Sequence, residues 1–136
     1  MVENVTVFRA LSAIITGGIN HKSVVVKTEV ARLFDLIVTQ LGSMRVFGSS
    51  KEFLELLFPN GARLLTDGAI QVRTHAKHAF GELIRHEKFE AMTKEYLREN
   101  ERRDIKKTLD SLKWKYDIYE TYYDDLILQE DIVKLL

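Results

Sequence analysis

The chain has 136 residues with one proline, no cysteine, and 20 basic against 20 acidic side chains. That length suits one domain with a modest core, and without thiols there is no disulfide framework and no thiolate metal site, a composition that fits the cytosol. Residues 1–114 carry 18 Lys/Arg against 14 Asp/Glu and residues 115–136 carry 2 against 6; the mildly basic body leans toward an acidic partner, far short of the excess expected of a nucleic-acid binder.

The opening stretch, MVENVTVFRALSAIITGG, lacks the basic-then-apolar order of a secretory leader. No apolar run approaches the roughly 18 residues needed to span a bilayer. Instead Val7, Phe8, Leu11, Ile14 and Ile15 lie on a wide arc of a helix. Gly17 is expected to stop it, and GGINHKS connects to the next element. A second helix follows, with Val26, Val30, Leu33, Phe34, Ile37 and Leu41 at 3- and 4-residue spacing.

The connector GSMRVFGSS leads to SSKEFLELLFPNGARLL, where Ser49 or Ser50 offers an N-cap and Phe53, Leu54, Leu57, Phe58 and Leu64 form the apolar face. Pro59 is expected to kink or split this helix. After TDGA, with Gly68 as a stop, comes a helix bearing Val72, Ala76, Ala79, Phe80 and Leu83. It repeats the second helix 46 residues on: Val26 falls on Val72, Lys27 on Arg73, Thr28 on Thr74, Phe34 on Phe80 and Ile37 on Leu83. A shorter, more charged pair follows, with Phe89, Met92, Tyr96 and Leu97 on one helix and Ile105, Leu109 and Leu112 on the other, where Trp114 is a further candidate for the apolar face.

Each pair is a helical hairpin that cannot bury its apolar face alone. The repeat therefore predicts an all-α chain, an α-solenoid of about three HEAT/ARM-like hairpins over 1–114, with stacked equivalent loops. Val30, Leu33, Phe34, Ile37, Ala76, Ala79, Phe80 and Leu83 are the expected core. Residues 115–136 form an acidic, tyrosine-rich tail, read as a helix folding back over the end of the stack or as an amphipathic helix docking on a partner. At the other end Val5, Phe8 and Ile15 exceed what one neighbouring helix covers. They call for upstream repeats, a second copy or the tail, and otherwise for self-association.

Asp67 in the second loop followed by Val72-Arg73 on the helix resembles the HEAT-repeat habit, and Asn20 with Val26-Lys27 is a weaker version. The run HKSVVVKTEVARLFDLIVTQLG, LLTDGAIQVRTHAKHAFGELIRHEKFEAMTKEYL, ERRDIKKTLDSL resembles the C-terminal half of a TOG domain. It is most similar to the TOG-array (crescerin-like) axonemal microtubule regulators, with CLASP-type domains further off. The resemblance implies a cytoskeletal module, of cilium or axoneme, that binds tubulin through the loops inside each hairpin. Carried over by position, the candidate contacts are His21, Lys22 and Lys27 at the first loop, Arg73 after the second, and Arg98, Arg102 and Arg103 at the third. Lys27 and Arg73 also suit a structural role, pairing with the loop Asp to hold neighbouring repeats in register. The alternative is a HEAT-type scaffold for another protein, through its groove or tail.

His75 and His78 share a helix face with Glu82, yet no HExxH spacing supplies a full ligand set. Glu52/Glu55 and Asp124/Asp125 lack a pocket-forming context. There is no phosphate loop, nucleophile elbow or cysteine nucleophile. The sequence therefore predicts no metal, no cofactor, no membrane or nucleic-acid partner, and no enzyme.

Overall fold

The structure is a computed structural model that describes the backbone of residues 2–115 and the side chains of residues 6–115. Helices account for all its regular structure: α1 (Val2–Gly18), α2 (Val24–Phe47), α3 (Lys51–Leu65), α4 (Ile70–Leu83), α5 (Phe89–Tyr96) and a run over 99–115, α6. No strand occurs among the described residues. The expected tail lies outside them apart from Lys115.

Sequential helices joined by short loops pair as antiparallel neighbours. The most extensive packing, however, joins α2 to α4, with smaller contacts of α1 on α2, α3 on α4, α3 on α5 and α1 on α3. The repeated helices thus lie against each other, and α1, α3 and α5 make the second layer. Phe34 and Phe80, the equivalent aromatics, are both fully buried. Val30, Ala76, Ala79 and Leu83 are buried as expected. Leu33 and Ile37 are only half-buried, and Ala31 and Val38 take the interior places on α2. Small residues at the α2–α4 contact let the two helices approach, and this moves the buried stripe round by a position or two.

Three local features shape the layers. Gly42 has φ 78° and breaks α2 into two segments; this conformation is costly for any residue with a Cβ. The break turns the chain toward α3, whose N-cap is Ser50, with its hydroxyl accepting the Phe53 N–H at 3.2 Å. Pro59 does not split α3, which runs unbroken through it. Proline cannot donate to the Glu55 carbonyl, but the Asn60 side-chain amide donates to the neighbouring Leu56 carbonyl at 2.8 Å. The helix stops are also displaced. α1 runs through Gly17 to Gly18, and α3 ends at Leu65, before Gly68.

An aromatic cluster ties the layers together. Phe58 lies 6.1 Å from Phe47, 6.2 Å from Phe89 and 5.9 Å from Tyr96, ring centroid to centroid. Phe80 meets Phe89 edge-on at 6.4 Å. At the N-terminal end Ile15 belongs to the core and Phe8 is half-buried against it, while the Val5 side chain lies outside the described residues. The open apolar surface there is instead a groove of about 470 Å³ between α1 and α2, lined by Val7, Ala10, Ile37 and Leu41.

Candidate interaction edge

The first intra-hairpin loop, 19–23, is anchored by Ile19, which is buried. Ser23 is the N-cap of α2 but makes no side-chain cap bond. Its own N–H instead donates to His21 Nδ1 at 3.0 Å. This holds His21 in the loop and leaves Lys22 exposed, with no ion-pair partner among the described residues.

In the second loop Asp67 serves three neighbours. Its carboxylate accepts the Ala69 N–H at 2.9 Å and the Lys27 ammonium at 3.0 Å. Its backbone carbonyl accepts Arg73 Nη1 at 2.8 Å, and the same nitrogen reaches the Gly68 carbonyl at 3.0 Å. Burial by itself would raise the Asp67 pKa; the Ala69 N–H, Lys27 and Arg73 outweigh it and hold the carboxyl below its ordinary value. Lys27 and Arg73, equivalent in the repeat, therefore both act on one loop, Lys27 from the preceding hairpin and Arg73 from within.

The third turn is tight. Leu97 is buried, and Arg98 precedes α6. Glu101 accepts the Arg98 backbone N–H at 3.0 Å and its Nε at 3.1 Å, the glutamate half of a capping box. Burial pushes the Glu101 pKa up, and the two Arg98 bonds more than reverse this, so the carboxyl sits below its ordinary value. Arg102 Nη1 donates to the Lys94 carbonyl at 3.1 Å, tying the end of α5 to α6.

The loops lie side by side. Lys27 bridges the first and second. The second and third flank a depression of about 370 Å³, with Arg63 and Thr66 on one side and Arg98, Glu101 and Asp104 on the other. Of the sequence candidates, His21, Lys22 and Arg98 are exposed along this edge, and Lys27 and Arg73 are spent inside it. Arg102 and Arg103 line a different groove, between α5 and α6. Arg63 was not singled out from sequence, where it is one exposed base in the last turn of α3. Only the fold sets it opposite Arg98.

Elsewhere His78 Nδ1 lies 2.8 Å from Asp35. Among the described residues no three His, Cys, Asp or Glu side chains gather as a metal site, and no helix is long and apolar enough to cross a membrane.

No family model matches the chain, and no solved structure matches it. Over 115 residues, 85% of its length, the chain is 25% identical to the mouse (Mus musculus) protein TOG array regulator of axonemal microtubules protein 1. The matched stretch is 6% of that protein, so the chain spans a small fraction of the relative's length. The likeness is weak and points to a distant relation with a microtubule regulator.

Proposed function

We propose that the chain is a non-enzymatic, microtubule-associated module: three stacked HEAT-like hairpins, akin to part of a TOG domain, that bind tubulin along the loop edge. The observation that carries this reading is the likeness to a TOG array regulator over 85% of the chain. The order of packing supports it, because α2 lies on α4 and α1 on α3, as neighbouring hairpins of one stack would. Charge adds less. In the depression between the second and third loops Arg98 is paired with Glu101 at 3.1 Å and Asp104 lies nearby, so Lys22 and Arg63 are the exposed edge cations that make no ion pair among the described residues. A cytoskeletal location, in a cilium or axoneme, belongs to the same reading.

The test is gel filtration of the full chain with and without tubulin. Co-elution of the wild type, lost in Lys22→Glu/Arg63→Glu with unchanged melting, is the expected result. Failure of the wild type to co-elute in low salt overturns the reading. A second reading, a scaffold for a non-tubulin protein, is favoured by the apolar α1–α2 groove and by the 81% exposure of Met44 on the last segment of α2. A chain that does not co-elute with tubulin yet binds another protein, through a contact abolished by Ile37→Glu with unchanged melting and indifferent to the edge substitutions, would select it.

A further inference from the structure

The repeated helices offer an internal comparison. Val26, Leu33 and Ile37 of α2 correspond in sequence to Val72, Ala79 and Leu83 of α4. The three on α4 are fully buried. Their hairpin lies between α1–α2 and α5–α6, and Phe89 of α5 meets Phe80 edge-on. The three on α2 are only half-buried. One flank of α2 thus lacks the cover that its counterpart on α4 has. Leu33, Leu36, Ile37 and Gln40 share that flank at 3- and 4-residue spacing, and Leu36 is 41% exposed. Val7, Ala10, Ile37 and Leu41 line the groove of about 470 Å³ beside it.

An end of a helical stack that meets only water carries a polar outer face. α6 fits that description, with Arg103, Lys106, Lys107 and Asp110 exposed along it; Trp114, expected on its apolar side, is instead 65% exposed. The α1–α2 face is the opposite, with Arg45 the one charged residue of its groove. Its pattern fits a copy of itself. Along α2, Leu33 and Leu41 stand four residues to either side of Ile37, and Glu29 and Arg45 stand eight. A two-fold axis crossing α2 at Ile37 lays these positions against each other in antiparallel copies. Leu33 then meets Leu41, and Glu29 of one copy faces Arg45 of the other. Glu29 is exposed, bonded to Arg32 of its own helix, and Arg45, beyond the break at Gly42, still lines the groove. Size agrees as well. α1 and the first segment of α2 each run about 25 Å and together are about 20 Å across. That is roughly 500 Å² of face per copy and about 1,000 Å² for two, the low end for a specific interface.

We propose that two copies of the chain pair through this face, α2 against α2 about a two-fold axis at Ile37, so that two stacks meet end to end. The same patch serves on both sides, so assembly closes at the dimer. The groove lies toward the start of α1 and the end of α2, away from the 19–23 loop that joins them. Pairing therefore leaves the loop edge free and does not depend on what that edge binds.

Sedimentation equilibrium on the full chain tests it. The expected result is a monomer–dimer equilibrium with a Kd in the micromolar range and no larger species. Ile37→Glu should raise that Kd at least tenfold. Arg45→Glu should weaken the pair by setting acid against acid, and Glu29→Lys/Arg45→Glu should restore most of the affinity. If Ile37→Glu unfolds, a single thiol decides, since the chain has no cysteine. On air oxidation Ile37→Cys should form a covalent dimer at least tenfold faster than Lys107→Cys on the outer side of α6. A chain that stays monomeric to about 1 mM overturns the proposal, and a foreign protein that binds such a monomer in this groove returns the face to the scaffold reading. A dimer indifferent to Ile37→Glu and to the position of the thiol also overturns it, because the contact is then elsewhere. So does a mass that grows past the dimer, the mark of a head-to-tail contact.

Discussion

Lys27 and Asp67 stand 40 residues apart in sequence and meet at 3.0 Å, joining the first hairpin to the loop of the second. Both side chains are largely withdrawn from water, at 20% and 14% exposure, so the pair is less screened than a surface bridge. The two ends are not equivalent. Removing Asp67 also strips the Ala69 N–H of its acceptor and strands Lys27. Asp67→Ala should therefore cost about 2–3 kcal/mol and Lys27→Met about 1–2 kcal/mol. Urea titrations of both, and of the double variant, measure the order and the coupling. Equal costs for the two would show that Asp67 matters only through Lys27.

The same carboxylate makes stability depend on acid. Its folded pKa is lowered despite burial, by the Ala69 N–H, Lys27 and Arg73. The folded state thus binds its proton less readily than the unfolded state does. The stabilisation is complete above the unfolded value, about 3.9, and disappears as pH falls through the lower folded value. Glu101 acts in the same direction. Asp67→Asn should flatten the loss of stability between about pH 4 and pH 2 relative to wild type. Parallel curves would assign the acid sensitivity to other groups.

Gly61 sits where three helices converge. A Cβ there would lie 2.8 Å from Phe80 Cε2 and 2.9 Å from Phe34 Cζ. Alanine in place of a helical glycine normally gains up to about 1 kcal/mol. Here overpacking against two buried rings should reverse the sign, a net loss of about 1–2 kcal/mol. Phe80→Ala should cost about 3–5 kcal/mol. The double variant should cost less than the sum, because the vacated ring space accepts the added methyl. Thermal melts of the three proteins test this, and strict additivity would mean that the rings had already moved aside.

The helices and their pairing were legible because each keeps a 3–4 spacing of apolar residues, and Phe34 and Phe80 hold the same place in both copies. The boundary between buried and half-buried was not. Apolar size favours Leu33 and Ile37, but the close α2–α4 contact seats Ala31, Ala76 and Ala79 inside, and hydropathy ranks alanine below leucine. At the edge, the loop Asp and its two bases were readable as a register device, since Asp67, Lys27 and Arg73 occupy repeat positions. The side toward which Arg102 and Arg103 point was not. They follow the third loop in sequence, yet the helical phase of α6 turns them into the neighbouring groove, while Arg63 reaches the edge from the end of a different helix.

Pro59 gives the sharpest departure from local rules, and a last prediction. Sequence logic has it break α3, but the helix continues, with Glu55 deprived of its usual donor and Asn60 lending its side-chain amide to Leu56. A helix-interior proline costs about 3 kcal/mol relative to alanine. The local adaptation and the half-buried ring recover part of that, so Pro59→Ala should stabilise the chain by about 1–2 kcal/mol. The role of Asn60 should then change with its neighbour. Asn60→Ala should cost about 1 kcal/mol beside proline and distinctly less beside alanine, where the backbone ladder is whole. Urea unfolding of the four proteins of this cycle is the measurement. A destabilised Pro59→Ala would mean that the ring's packing in the depression beside Ile105 outweighs the missing hydrogen bond, and the proline would then be a core contact and not a tolerated fault.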